Sequence, residues 1–142
     1  MYNENDINEY NRQQVFDQMT QAHSYKNQNR QTGSMGEVIA ERFLTEKGYK
    51  IVAVNYVNKI GEIDIIANLG ETIVFVEVKM RGSLSKGAPR EAVNAFKQRK
   101  IRQVAESFLK HKRMLESSCR FDCIEIVGIL DKHTIEHLEG CF

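Results

Sequence analysis

The chain has 142 residues, of which 42% are hydrophobic and 27% are charged, values typical of one folded domain with a single core. They exclude a fibrous or a fully disordered chain, and no apolar run approaches the ~20 residues of a membrane span. The net charge is only +1, but residues 79–113 carry eleven basic and two acidic side chains. This local excess is typical of a surface that binds a polyanion, although a solvated helix face would have the same composition.

The N-terminal segment, residues 1–32, contains six Asn and six Gln and few large apolar residues. Such a segment buries too little apolar surface to fold by itself, so we expect a mobile tail followed by one α/β domain over residues 33–142. The first residues have no features of a secretory signal, and the number of cysteines, three, is odd. We therefore expect a cytoplasmic protein whose thiols are reduced.

The domain is predicted to contain two helices and five strands. The first helix has Ser34 as its N-cap and ends near Lys47,. The second begins near Pro89 and ends near Lys112, with Phe96 among the apolar residues of its buried side,. The strands, which are rich in Ile and Val, cover residues 49–57, 62–67, 72–80, 121–130 and 134–138,. This order predicts an α/β fold with a mixed sheet flanked by helices.

Two carboxylates on neighbouring strands form the clearest candidate site. Asp64 lies on the second predicted strand and Glu77 on the third, with twelve residues between them. If the hairpin loop contains an even number of residues, the two acids share a face: a loop of residues 69–70 places Glu77 diagonal to Asp64, and a loop of residues 69–72 places it directly across, so the separation is ~5–8 Å in either register. Carboxylates at this distance repel each other, and a divalent cation with hard oxygen ligands relieves the repulsion.

Lys79 lies two residues beyond Glu77 and therefore on the same face of the strand,. A metal ion can lower the pKa of a bound water, and a metal ion and an ammonium together stabilise the charge that develops on a phosphodiester during hydrolysis. A strand with a solvated polar face would have the same residue types. The tripeptide Glu77-Val78-Lys79 does not by itself separate the two interpretations.

The wider pattern resembles a known family. Gly61–Asp64 followed by Glu77–Lys79 resembles the D-x(n)-E-x-K core of the PD-(D/E)XK nuclease superfamily. Over about residues 33–127, the chain is similar to the YraN family of predicted endonucleases, which are related in pattern to Holliday junction resolvases. The residues that carry this similarity are Gly36-Glu37, Ala40, Gly48-Tyr49, Asn55-Tyr56, Gly61–Asp64, Phe75–Lys79, Arg81, Ala92-Val93, Lys97, Arg102 and Arg120–Asp122.

The resemblance implies a restriction-endonuclease-like α-β-β-β-α-β core, in agreement with the predicted order of elements. It implies Mg²⁺ (or Mn²⁺) held by Asp64 and Glu77, catalysis by Lys79, and assistance from Glu37 on the first helix. Glu37 has a second interpretation, because Ser34-x-x-Glu37 is also a capping box, in which the glutamate bonds back to the Ser34 amide. Glu37 cannot fill both roles in one conformation, and the sequence leaves both interpretations open.

The basic segment has a role in this interpretation, because its side chains would follow DNA phosphates around a scissile bond without reading the base sequence. The candidate nucleic-acid-binding residues are Arg81, Lys86, Arg90, Lys97 and Arg102. The expected partner is nucleic acid, above all DNA and including branched or junction forms, and no membrane is expected. Resolution of a junction requires two active sites and would therefore require a homodimer.

Two other classes of function remain open. The same fold would serve as a catalytically silent module that binds nucleic acid or recruits a partner, since intact Asp, Glu and Lys residues permit turnover without proving it. Cys119, Cys123, His133 and His137 are zinc-ligand types, but four residues along a strand separate the two cysteines by ~13 Å, too far for one tetrahedral ion. The sequence therefore favours a metal-dependent nuclease, with the silent binding module as its alternative.

Overall fold

A computed structural model describes residues 28–82, 93–129 and 131–142. Within these residues the fold is α/β, as predicted, and its order of elements agrees with an α-β-β-β-α-β core followed by one more strand. The elements are α1 (Gln28–Glu46), β1 (Lys50–Val57), β2 (Glu62–Leu69), β3 (Thr72–Arg81), α2 (Ala95–His111), β4 (Cys119–Ile129) and β5 (Lys132–Leu138). None of the helices in this part of the chain combines the length and apolar character needed to cross a membrane.

The strands form one mixed sheet in the order β1-β2-β3-β4-β5. Consecutive strands pair antiparallel except for β3 and β4, which are parallel. The connection between these two strands contains α2, as expected because parallel neighbours need a long crossover. The parallel register places Lys79 beside Glu125, so the C-terminal halves of β3 and β4 lie together.

Each face of the sheet has its own helix and its own apolar core. On one face, Ala40 and Leu44 of α1 pack against side chains of β2, β3 and β4. On the other face, Val104 and Phe108 of α2 pack against Phe75 and its neighbours. Each large apolar side chain buried in this way contributes about 1.5–3 kcal/mol. The two cores fix the central strands, which carry the candidate site.

The first helix begins earlier than predicted. α1 begins at Gln28, so Ser34 lies inside the helix and is not its N-cap. The residues before Gly33 include Gln28 and Gln31, which are good helix formers, and they continue the helix toward the N-terminus. The rest of the predicted tail, residues 1–27, lies outside the described residues.

The second helix begins later than predicted. Asn94 is its N-cap, and the Asn94 Oδ1 atom accepts a hydrogen bond from the Lys97 N–H at 2.9 Å. Pro89 lies outside the described residues. The prediction that Phe96 is buried is wrong: its side chain is 66% exposed, because it lies in the first turn, before α2 packs on the sheet. Lys100 Nζ lies 5.9 Å from the centre of its ring.

A disulfide bond joins Cys123 to Cys141, whereas Cys119 is free and exposed. The prediction of three reduced thiols is therefore wrong for Cys123 and Cys141. β5 pairs antiparallel with β4, and the Cys141 N–H then donates to the Phe121 carbonyl at 2.8 Å. This return of the chain brings Cys141 beside Cys123 of β4. The spacing of the cysteines in the sequence does not reveal that the two are neighbours.

Candidate active site

Asp64 and Glu77 come together where β2 and β3 separate. The antiparallel ladder ends at the Ile65–Val76 pair, and the two acids are the next residues on their strands. Of the two predicted hairpin registers, the structure has the one that places Glu77 directly across from Asp64. The Val78 N–H donates to Asp64 Oδ2 at 2.8 Å, and Glu77 is close enough to Asp64 to raise its pKa. The two predicted metal ligands therefore occupy one place in the fold.

The surroundings of Asp64 disfavour its negative charge. The pKa of Asp64 is raised to about 7, mainly by burial and then by the neighbouring charge of Glu77. The Val78 N–H and the Lys97 ammonium act in the opposite direction without cancelling this effect. Above neutral pH the pair therefore carries negative charge that the surrounding protein balances only in part, and a divalent cation would balance the remainder.

Gly36 allows α1 to lie close to β3. A Cβ atom at Gly36 would lie 2.9 Å from Met80 Cβ and 3.6 Å from Val78 Cγ1. A side chain larger than hydrogen would therefore force the helix away from the strand. Glu37 is the next residue of α1, so this close packing also sets the position of Glu37 over the sheet.

Glu37, Glu62, Asp64 and Glu77 form one acidic group, whose members lie close enough for their charges to act on one another. The pKa of Glu37 is raised to about 7: burial has the largest effect, the charges of Asp64 and Glu62 act in the same direction, and a hydrogen bond with Asn55 opposes the rise. The capping-box interpretation of Glu37 is wrong, because Ser34 lies within α1. Glu37 therefore faces the acidic group from a position inside the helix.

Asn55, which the sequence analysis did not select as a site residue, holds Glu37 from β1. Its φ angle is +53°, a left-handed conformation that asparagine tolerates better than most residues but that still costs free energy. The neighbouring β1–β2 pairs place it opposite Asp64. The signal in the sequence was an amide residue within a strand of β-branched and aromatic residues.

Two lysines lie near Glu77. Lys97, in the first turn of α2, forms an ion pair with Glu77 Oε1. Lys79 is exposed and, two residues along β3, is on the same face as Glu77. The structure therefore brings Asp64, Glu77, Lys97 and Glu37 together and places Lys79 on the adjoining surface.

The other predicted basic residues are placed differently. Arg81 forms an ion pair with Glu125, a buried acid of β4 that the sequence analysis missed although it interrupts an apolar run. The Arg102 guanidinium lies 4.8 Å from the Phe121 ring centre and 5.7 Å from that of Phe142. Both arginines thus have partners within the protein. Lys86 and Arg90 lie outside the described residues.

A second buried acid, Asp122 on β4, has a complete set of donors. Arg120 donates to both of its carboxylate oxygens at 2.8 Å, and the Gly140 N–H donates at 2.9 Å. His137 Nε2 lies 2.7 Å from Oδ2, and Lys47 Nζ lies 2.8 Å from the other ring nitrogen. Because lysine can only donate, Nε2 of His137 carries the proton and donates to Asp122. Burial raises the pKa of Asp122, but these bonds outweigh it and lower the pKa to about 2.

Among the residues that the structure describes, no three His, Cys, Asp or Glu side chains converge as a metal-binding cluster. Zinc ligands are therefore not assembled: Cys123 is in a disulfide, and His137 is bonded to Asp122. Mg²⁺ requires less of the protein, because it usually keeps several waters and binds through one or two carboxylates together with substrate phosphates. The hard oxygen pair of Asp64 and Glu77 fits Mg²⁺ or Mn²⁺.

Comparison with known sequences identifies the family. The model of the Uncharacterised protein family UPF0102 matches residues 36–126. A UPF0102 protein of Alkaliphilus oremlandii is 47% identical over 116 residues, which are 80% of this chain and 99% of that protein. Another, of Caldanaerobacter subterraneus, is 46% identical over 104 residues, or 73% and 85% of the two chains. A third, of Desulforapulum autotrophicum, is 40% identical over 117 residues, or 82% and 97%. The chain therefore belongs to the UPF0102 family, which is the YraN family that its sequence resembles.

Proposed function

We propose that this protein is a metal-dependent nuclease that hydrolyses phosphodiester bonds in DNA. The observation that carries the proposal is the position of Asp64 and Glu77 side by side at the end of the β2–β3 ladder, where burial and the charge of Glu77 raise the pKa of Asp64 to about 7. Acidic groups whose pKa values are shifted in this way mark functional sites more often than structural ones. The adjoining Lys79 supplies the remaining residue type that phosphodiester hydrolysis uses.

Each residue of the site has a distinct role in this proposal. Asp64 and Glu77 would hold Mg²⁺, which supplies Lewis-acid chemistry toward water and the phosphate. Lys79 orients the attacking water or stabilises the negative charge that develops on the phosphate in the transition state. Glu37, with a pKa of about 7, exchanges a proton with a nearby group at neutral pH.

The surface of α2 supports DNA as the substrate. Four exposed basic side chains follow one another along the first two turns: Lys97, Arg99, Lys100 and Arg102. Contacts of such side chains with phosphates give affinity without sequence specificity. The exposed Phe96 ring beside them adds a surface on which a base can stack.

One observation favours the alternative, a catalytically silent module that binds nucleic acid. Lys97 already neutralises part of the charge of Glu77, and a site that needs no metal would keep this ion pair. The fold and the basic surface would then serve binding alone. Cleavage assays separate the two functions.

The test is cleavage of labelled linear duplex, single strand, flap and four-way junction with Mg²⁺, Mn²⁺ or EDTA. Glu77→Gln and Lys79→Ala remove the proposed metal ligand and the proposed ammonium. Glu116→Gln and Lys110→Ala make the same kinds of change at exposed positions away from the site. We expect metal-dependent cleavage that falls at least about 100-fold in the first two variants and stays within about twofold in the controls.

The two proposals predict different results. Loss of cleavage in both site variants, with one preferred DNA shape, would support the nuclease and identify its substrate. Salt-sensitive DNA binding by the unaltered protein, with no cleavage of any substrate in either metal, would support the silent module instead.

A further inference from the structure

The ion pair between Lys97 and Glu77 joins a side chain that can move to one that cannot. The Glu77 side chain is 11% exposed, whereas that of Lys97 is 45% exposed. Glu77 lies on the central strand β3 beside Asp64, and the Lys97 backbone is fixed by the Asn94 cap. If the ion pair opens, the flexible lysine stem must therefore supply the movement, while α2 and β3 stay in place.

One ammonium does not balance this site. Asp64 and Glu77 present two carboxyl groups here: Lys97 forms its ion pair with Glu77, and Asp64 accepts the Val78 N–H. A divalent cation carries twice the charge of Lys97 and would need the same carboxylate oxygen, so the two cations compete for Glu77. The basic neighbours of Lys97 on α2, Arg99 and Lys100, are exposed and would attract an anion to the place where the ammonium would go.

We infer that Lys97 is a resident counter-cation, which holds Glu77 in the metal-free protein and moves to a phosphate of the DNA once the site is loaded. The inference rests on the proposed function and extends it, because it makes the affinities for metal and for DNA depend on each other. Coupling of this kind is reciprocal: DNA would tighten metal binding by the factor by which metal tightens DNA binding.

The first test is metal affinity in the absence of DNA. Mn²⁺ is titrated into the full chain at pH 8.5 and followed by electron paramagnetic resonance. We expect Lys97→Gln to bind Mn²⁺ about 5–10-fold more tightly than the parent, because a competing cation has been removed. Lys110→Gln, a change of the same kind at the other end of α2, should remain within about twofold.

The second test is the salt dependence of DNA binding, measured by fluorescence anisotropy with a short labelled duplex. All proteins carry Lys79→Ala, so that the duplex is not cut. Each phosphate contact contributes about 0.9 to the slope of log K against log salt. We expect Lys97→Gln to lower the slope by about 0.9 in Mn²⁺ and to leave it unchanged in EDTA, whereas any effect of Lys110→Gln should be equal in both buffers.

Each contrary outcome has a separate meaning. Equal Mn²⁺ affinity in Lys97→Gln and its parent, or an equal change of slope in both buffers, would overturn the inference even if the unaltered protein binds Mn²⁺ and cleaves DNA. Absence of Mn²⁺ binding in the parent and in Lys97→Gln would overturn the proposed metal site and this inference together.

Discussion

Asp64 and Asp122 lie on strands on either side of β3, and both carboxyl groups are largely withdrawn from solvent, yet their pKa values move in opposite directions. Burial and the charge of Glu77 raise the pKa of Asp64 to about 7. Burial acts on Asp122 too, but hydrogen bonds from His137, Arg120 and the Gly140 N–H lower its pKa to about 2. Burial alone therefore does not decide the outcome; the number and charge of the donors decide it.

The difference separates a structural acid from one that awaits a ligand. Asp122 accepts bonds on both oxygens from groups of this chain, so its charge is balanced in the folded protein. Asp64 accepts the Val78 N–H and faces a second carboxyl group. If the proposed function is correct, the first acid stabilises the fold, whereas the second lowers stability and provides a cation site.

The largest effect is expected at Asp122. Asp122→Asn should lower the free energy of unfolding at pH 7 by about 3–4 kcal/mol, because the buried partners of the carboxylate lose its charge. For a chain of this size that is a fall of about 10 °C in Tm, measurable by calorimetry. Asp131→Asn, at an exposed turn, should have almost no effect. Equal stability of the two variants would contradict a structural role for Asp122.

Asp64 should show an effect of opposite sign. Because the pKa of Asp64 is raised in the folded state, its ionisation destabilises the metal-free protein increasingly as the pH rises from about 4 to about 7. Asp64→Asn should therefore raise the free energy of unfolding in EDTA, by about 1–3 kcal/mol more at pH 8 than at pH 5. Urea unfolding at the two pH values measures this difference. A gain that does not depend on pH, or a loss at pH 8, would show that the carboxyl charge is already balanced.

Gly36 tests whether the acidic group depends on close helix packing. Gly36→Ala should reduce the free energy of unfolding by about 1–2 kcal/mol, because its Cβ atom would overlap Met80,. Gly82→Ala is the matched control, since a Cβ atom at Gly82 would meet no other atom within 4 Å. If both variants unfold at the same urea concentration, α1 does not pack on β3 as closely as this overlap requires.

The smallest expected effect is at Asn55. Asn55→Ala should reduce the free energy of unfolding by about 1 kcal/mol, because alanine in the left-handed region is strained and the bond to Glu37 is lost. Asn55→Gly loses the same bond without the strain and should be the more stable of the two. Urea unfolding of both variants isolates the backbone contribution, and a less stable glycine variant would argue against it.

The sequence was sufficient to predict the fold and the central acidic pair, because both depend on local pattern. Alternating apolar residues identified β2 and β3, and a tight hairpin with an even number of loop residues leaves few registers, each of which brings Asp64 near Glu77. The Ser34 cap was a wrong prediction for a physical reason. A capping box is defined by only two residues three positions apart, and it does not reveal whether the residues before it also favour a helix.

The ion pairs and hydrogen bonds that complete the site could not be predicted from the local sequence pattern. The ion pairs of Lys97 with Glu77 and of Arg81 with Glu125 join different elements through the α2 crossover, and no periodicity encodes such a pairing. The donors of Asp122 come from β4, β5 and the chain after β5 in a similar way. Charged residues within apolar strands were the available signal, and they indicate burial without identifying the partner.

Mn²⁺ binding at pH 8 is the decisive measurement for the proposed cation site. Electron paramagnetic resonance would follow it in four proteins: the unaltered chain, Asp64→Asn, Glu77→Gln and the exposed control Asp131→Asn. We predict Mn²⁺ binding by the unaltered chain and by Asp131→Asn, and its loss in the other two. Absence of binding in the unaltered chain, or equal affinity in all four proteins, would contradict a metal site at Asp64 and Glu77.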